Sequence, residues 1–235
     1  MAKLVIMRHG QSEWNAKNLF NGWIDTNLSE TGVEQAQHAG QQLKATGIAF
    51  DYAYTSLLKR AIKTLHILLE ETDQLFVPES KIWRLNERHY GALQGMNRDV
   101  AREKWGAEQV HIWRRAYDVL PPQTDALPAQ VEVDGEIYPA MDRRYADLAE
   151  NQLPHGESLA LALARIQPYW EQAIVPKLQT GQNVLIVAHG STIRALTKII
   201  EGISDADIMH VEIANAEPIS YDLDQQLKIV NKQAF

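Results

Sequence analysis

Two short strings in this 235-residue chain place an imidazole directly after the pattern of a buried strand. In MRHGQSEWN, Arg8, His9 and Gly10 follow the apolar residues Leu4, Val5 and Ile6. In VLIVAHG, His189 and Gly190 close a second apolar run. A lone histidine at a strand end is usually a polar turn residue or a hydrogen-bonded structural one. Two such tips, one led by an arginine, point to a single site, because ligands of open α/β sheets bind at the carboxyl ends of strands. A helix beginning after His189 adds backbone N–H groups that favour an anion.

The chemistry that suits these residues is phosphoryl transfer through a phosphohistidine. Neutral imidazole is nucleophilic near neutral pH and splits a transfer into two easier steps. Arginine pairs bidentately with phosphate oxygens and keeps its charge. With enough cations around the equatorial oxygens, no metal is required. The histidine spacings match no compact metal motif such as H-E-x-x-H. A metal shared by His9, His189 and an Asp or Glu is the alternative these residues leave open.

Composition narrows the class further. A formal net charge of −7 argues against a general binder of nucleic acid or anionic membrane, which carries a basic surface. Local arginines therefore stand out, among them Arg8, Arg84, Arg88, Arg98, Arg114 and Arg115. There is no cysteine, which removes disulfides, thiolate catalysis and thiolate metal sites. The apolar stretch near Met1 is too short for a signal peptide, and no run reaches membrane-spanning length, so a cytoplasmic protein is expected.

The elements that must position the two tips follow from periodicity. Strands are expected at Leu4–Met7, Phe50–Tyr54, within 76–83, at Val184–Ala188 and around Ile219–Leu223. The Asn21-Gly22 pair signals a tight turn. Thr31 and Glu34 have capping-box spacing for a helix that Gly47 ends, and Ser56 is a plausible N-cap for the next. Helical patterns recur within 98–117, over Glu157–Val175, and from Thr192 to Ile200 with Gly202 beyond. Between them, PPQTDALPAQVEVDGEIYP reads as a loop or lid-like insertion. The expectation is an α/β fold, with a mostly parallel central sheet flanked by helices on both faces. It forms one domain over 1–235 with a largely helical and loop insertion at about 86–153.

The strings RHGQSEWN, NLFNGWIDTNLSETG, SLLKRAIKT, LNERHYGALQG, WRRAYDVLPP, RRYADL and VLIVAHGSTIRAL together resemble the 2,3-bisphosphoglycerate-dependent phosphoglycerate mutases of the histidine phosphatase superfamily. RHG alone indicates only the superfamily, whereas ERHYG with WRRAYDVLPP is specific to the mutase branch. The resemblance implies interconversion of 3-phosphoglycerate and 2-phosphoglycerate, with 2,3-bisphosphoglycerate as intermediate and primer and no metal. It implies that His9 is the phosphorylated nucleophile and that Arg8, Arg60 and His189 bind the transferring group. Glu87 would be the acid/base. Ser12, Asn15, Asn21, Gly22, Arg88, Tyr90, Arg98, Arg114, Arg115, Gly190 and Ser191 would bind substrate. A homodimer or homotetramer acting on small phosphorylated metabolites is expected, without nucleic acid or membrane.

The chain departs from the family pattern at the substrate rim. Ser191-Thr192 stands where Asn-Ser is common, Asn21 where Thr is typical, Arg98 where Lys is typical, and Asn215-Ala216 where Thr-Gly is frequent. These positions bear on substrate preference and leave the proposed catalytic set intact. The alternatives are a histidine phosphatase hydrolysing another small phosphomonoester, and a catalytically silent binder of phosphometabolites.

Overall fold

The computed structural model describes residues 1–124 and 128–235. Strand β1 (Ala2–Arg8) carries Leu4, Val5, Ile6 and Met7, all fully buried, because it lies inside the sheet with both faces covered. Side chains alternate across a strand. Leu4 and Ile6 therefore join one core cluster, and Val5 and Met7 another on the opposite face. The other sheet strands are β2 (Tyr52–Thr55), β3 (Glu79–Lys81), β6 (Val184–Ala188), β7 (Ile219–Leu223) and β8 (Ile229–Ala234). A separate hairpin holds β4 (Gln130–Val133) and β5 (Glu136–Pro139). The six-stranded order is β3-β2-β6-β1-β7-β8, in which the first four run parallel, β7 pairs antiparallel with β1, and β8 pairs antiparallel with β7.

The helices are α1 (Glu13–Ala16), α2 (Glu30–Ala45), α3 (Lys59–Glu71), α4 (Arg98–Trp105), α5 (Ala107–Arg115), α6 (Leu159–Tyr169), α7 (Val175–Gln179) and α8 (Gly190–Glu201). Ala39 and Leu43 of α2 pack with Leu65, Leu68 and Leu69 of α3 against Val5, Met7, Leu185 and Val187. On the other face, Ile166 of α6 and Ile193 and Leu196 of α8 pack against Leu4, Ile6 and Ile186. β1 and β6 are parallel neighbours with Arg8 opposite Ala188, so His9 and His189 emerge side by side. From these adjacent tips the chain leaves toward opposite faces, to α2 and to α8. That divergence opens the crevice in which such sheets bind ligands.

Several expectations shift in detail. The cap of α2 is Ser29, whose Oγ accepts from Gly32 N at 3.1 Å, and Thr31 falls inside the first turn. Helix α3 has Leu58 as its N-cap, with no side-chain cap; Ser56 lies two residues earlier, where its Oγ meets both Leu58 N and His189 Nε2. The single helix expected over Glu157–Val175 is interrupted. It begins at Leu159 behind a Ser158 cap, contains Pro168, and passes through one π turn at Trp170–Ile174 before α7. Helix α8 starts at Gly190, before the expected Thr192.

The stretch expected as an irregular lid holds the β4–β5 hairpin. Asp134 and Gly135 turn it with φ of 54° and 78°, the two positive values that a type I′ turn requires. Part of that expected loop, 125–127, lies outside the described residues. β8, on the sheet edge, was not anticipated; all six of its residues are exposed, so burial leaves no alternation in its sequence. No helix among the described residues is long and apolar enough to cross a membrane.

Candidate active site

His9 is almost fully buried at the tip of β1, with its backbone N–H bonded to Ala188 O at 2.9 Å and its carbonyl accepting from Asn215 Nδ2 at 2.8 Å. Its Nδ1 lies 2.6 Å from Gly10 O. A carbonyl only accepts, so Nδ1 carries the hydrogen and Nε2 keeps its lone pair. Burial, with Arg60 and Arg8 adding to it, holds the imidazole pKa well below 6.5, so the ring is neutral. The following Gly10 is required by a close approach: a Cβ there would stand 2.2 Å from the carbonyl oxygen of Gly32 in the first turn of α2.

His189 caps α8 from the neighbouring strand, its ring edge-on to His9 at 5.0 Å between centroids. Ser56 Oγ accepts from Leu58 N at 3.1 Å and meets His189 Nε2 at 2.7 Å. If Ser56 gives its own hydrogen to Nε2, Nδ1 holds the imidazole hydrogen. That Nδ1 is buried without a partner among the described residues, a donor suited to an anionic oxygen. Burial and then Arg60 lower this ring's pKa well below 6.5 as well.

Arg60 is completely buried and braced by the carbonyls of Ile24 at 2.7 Å and Gly22 at 2.8 Å. Burial brings its pKa down to about 10, which still leaves it cationic at neutral pH. Arg8 is fixed by Ile213 O at 2.9 Å. The Nε atoms of Arg8, Arg60, Arg98 and Arg194 are all buried without partners among the described residues. Among the described residues, six arginines line the crevice (Arg8, Arg60, Arg98, Arg114, Arg115 and Arg194) against two carboxylates, Glu87 and Glu212. The chain is acidic overall, so this concentration is local and directed at an anion.

Glu87 comes from the loop after β3. Its Oε1 accepts from Arg88 N at 2.9 Å and from Ser191 N at 3.1 Å, tying the carboxylate to the start of α8. Its backbone carbonyl is gripped by Trp23 Nε1 at 2.7 Å and by Arg165 Nη2 at 3.0 Å. Arg165 is itself paired with buried Glu157 at 2.7 Å. A carboxylate held this way, near a neutral imidazole, can exchange a proton with a hydroxyl that attacks or leaves.

Asn15, Asn21, Gly22, Tyr90, Arg98, Arg114, Arg115, Gly190 and Ser191 reach the crevice surface. Ser12 and Arg88 stand behind it. Ser12 caps α1, forms a reciprocal capping box with Asn15, and donates to Asn21 Oδ1 at 3.2 Å. Thr26 Oγ1 donates to that same oxygen at 2.7 Å, which leaves the Asn21 NH2 as the group free to donate. Arg88 is fully buried, bonds Arg114 O at 2.8 Å and lies 4.9 Å over the Tyr90 ring. Arg194, Glu212 and Ile213 were not anticipated. Arg194 was readable from its position four residues into the helix after Gly190, whereas no local pattern marks Glu212.

The sequence matches the model of the histidine phosphatase superfamily (branch 1) over residues 4–144 and 128–233. Fold and site thus define a histidine phosphatase superfamily member. The chain is 60% identical to 2,3-bisphosphoglycerate-dependent phosphoglycerate mutase 2 of Latilactobacillus sakei, with 99% of both chains covered. It is 54% identical to the 2,3-bisphosphoglycerate-dependent phosphoglycerate mutase of Neisseria meningitidis, over 98% of each. Within the superfamily, the chain belongs to the 2,3-bisphosphoglycerate-dependent phosphoglycerate mutase family. The solved structure of a mycobacterial glucosyl-3-phosphoglycerate phosphatase complexed with VO3 shares the fold, with a TM-score of 0.72 at 23% identity over 100% of this chain and 97% of that one.

Proposed function

We propose that the protein interconverts 3-phosphoglycerate and 2-phosphoglycerate through a phosphohistidine at His9. The observation that carries this reading is the His9 imidazole, held neutral by its surroundings and with its proton committed to Gly10, facing a crevice of six arginines. Bound 2,3-bisphosphoglycerate supplies the phosphoryl group that primes His9. The buried donors of Arg8, Arg60 and His189, which have no partner among the described residues, fit such a polyanion. These groups hold the charge that spreads over the equatorial oxygens in transfer. Glu87 takes the proton from the attacking C2 hydroxyl, while the phosphorus–nitrogen bond breaks and the electron pair returns to His9 Nε2. In the second half, His9 attacks the C3 phosphate and Glu87 returns its proton to the leaving oxygen. Arg98, Arg114 and Arg115 hold the substrate carboxylate and the phosphate not being transferred, with Asn15, Asn21, Gly22, Tyr90, Gly190 and Ser191 adding polar contacts. Ser12 and Arg88 act through Asn21 and Tyr90.

The test supplies 3-phosphoglycerate with catalytic 2,3-bisphosphoglycerate and follows isomer formation beside phosphate release. Isomerisation is expected to dominate; dominant hydrolysis overturns the reading. Intact-protein mass should show one phosphoryl adduct after incubation with 2,3-bisphosphoglycerate, lost in His9→Ala. Activity is expected to survive chelation of divalent metal, since the arginines supply the charge. We further propose that residues 1–235 act as one catalytic unit, in the cytoplasm, as a homodimer or homotetramer. Exposed Leu75 and Phe76 beside β3 support an interface, which sedimentation would reveal.

A further inference from the structure

Five of the six arginines lining the crevice have no carboxylate within ion-pair distance among the described residues. Arg115 is the exception: its Nη2 meets Glu212 Oε2 at 2.5 Å. The two crevice carboxylates are held very differently. Glu87 is buried and fastened by two backbone N–H groups. The Glu212 side chain is 72% exposed at the rim, and among the described residues Arg115 is its one side-chain partner. Arg115 is 16% exposed, but the carboxylate end of the pair stands in solvent, where ion pairs are weak, so it can exchange Arg115 for water when an anion arrives. Arg115 keeps its place without it, because Nη1 also donates to Val211 O at 3.4 Å and its carbonyl accepts from Arg194 Nη2 at 2.8 Å.

We propose that Glu212 is a specificity-determining residue: a movable counter-ion on Arg115 that weakens the crevice's hold on anions in proportion to their charge. For the reaction proposed above, on which the choice of ligands rests, it sets the affinity for the doubly phosphorylated species relative to the singly phosphorylated one. The carboxylate occupies the guanidinium face that the second anionic group of a ligand needs. It also repels a ligand more strongly the more negative the ligand is. Six guanidinium groups opposed by Glu87 alone would retain a bisphosphorylated intermediate, which has to turn round or exchange between the two half-reactions.

The test titrates orthophosphate and pyrophosphate by calorimetry into the wild-type protein, Glu212→Gln and Glu212→Asp. Glutamine keeps a hydrogen-bond acceptor for Arg115 and removes only the charge. Glu212→Gln is expected to tighten pyrophosphate by about tenfold and orthophosphate by about threefold or less, as charge scaling at a solvated rim requires. Glu212→Asp should keep the wild-type ratio, and adding Arg115→Gln to Glu212→Gln should erase the gain. Equal tightening of both anions, or none, overturns the proposal and leaves Glu212 as a structural tie. In turnover, Glu212→Gln should lower the half-saturating 2,3-bisphosphoglycerate concentration more than the KM for 3-phosphoglycerate. If the wild-type protein does not isomerise phosphoglycerate, the mutase reading fails, while the phosphate titrations still decide the role of Glu212.

Discussion

At the scale of single residues, the site works by burying bases among cations so that they stay unprotonated. His9 and His189 are held well below 6.5, first by burial and then by Arg60. His89 is pulled down to about 3 by burial, with His155 and Arg165 contributing. The unfolded chain takes up protons at these histidines near pH 6.5, whereas the folded chain refuses them. Their contribution to stability is therefore complete above that pH and lost as pH falls below it. Calorimetry from about pH 7 to about pH 5 should show Tm decreasing, and a Tm that rises on acidification contradicts the assignment. The acid limb of kcat/KM, which reports the free enzyme, should likewise lie below pH 6.5, since the nucleophile stays neutral down to lower pH. For Glu87→Gln, turnover should drop by roughly 10²–10⁴-fold with substrate binding largely kept. A near-normal rate removes Glu87 from proton transfer.

At the scale of elements, two supports hold the reacting groups from behind. Glu157 leaves the start of α6 and pairs with Arg165, and Arg165 clasps the carbonyls of Asn86 and Glu87. Removing one partner of a buried pair strands the other charge, so Glu157→Leu should cost about 3–5 kcal/mol in denaturant unfolding and lower kcat as the Glu87 loop loosens. The second support is the β4–β5 hairpin, whose Tyr138 packs edge-on to Trp14 at 4.9 Å beside Leu19 and Ile24. Pro139 O accepts from Asp25 N at 2.8 Å, so the hairpin backs the loop that carries Asn21 and Gly22. Tyr138→Ala should destabilise the fold by about 3–5 kcal/mol, as large-to-small aromatic changes do. Steady-state kinetics should then show KM rising more than kcat falls. The hairpin was legible in VEVDGEIYP, where Asp-Gly sits between alternating apolar residues.

At the scale of the whole molecule, an acidic chain focuses positive charge in one crevice. Attraction of phosphorylated ligands into such a field weakens with salt. Raising ionic strength from about 0.05 to about 0.5 M should increase KM several-fold with little change in kcat; a KM indifferent to salt argues against the cationic crevice as the binding determinant. The same scale explains why local reading misplaced some residues. Ser56 has the makings of a helix cap, yet β6 delivers His189 to its hydroxyl. Arg88 belongs to the site motif, yet it faces α5 and bonds Arg114 O.

The sequence by itself determined the strands of the interior, the two H-G tips and the run of arginines. Apolar periodicity and residue chemistry are local properties, and burial on both faces makes them conspicuous. Only the tertiary structure decided that β1 and β6 are parallel neighbours whose chains diverge to opposite faces, which is what turns two tips into one crevice. It also decided which guanidinium groups face that crevice, which stand behind it, and that Glu212 comes from far along the chain to Arg115. Such pairings depend on contacts between residues distant in sequence, which no spacing records.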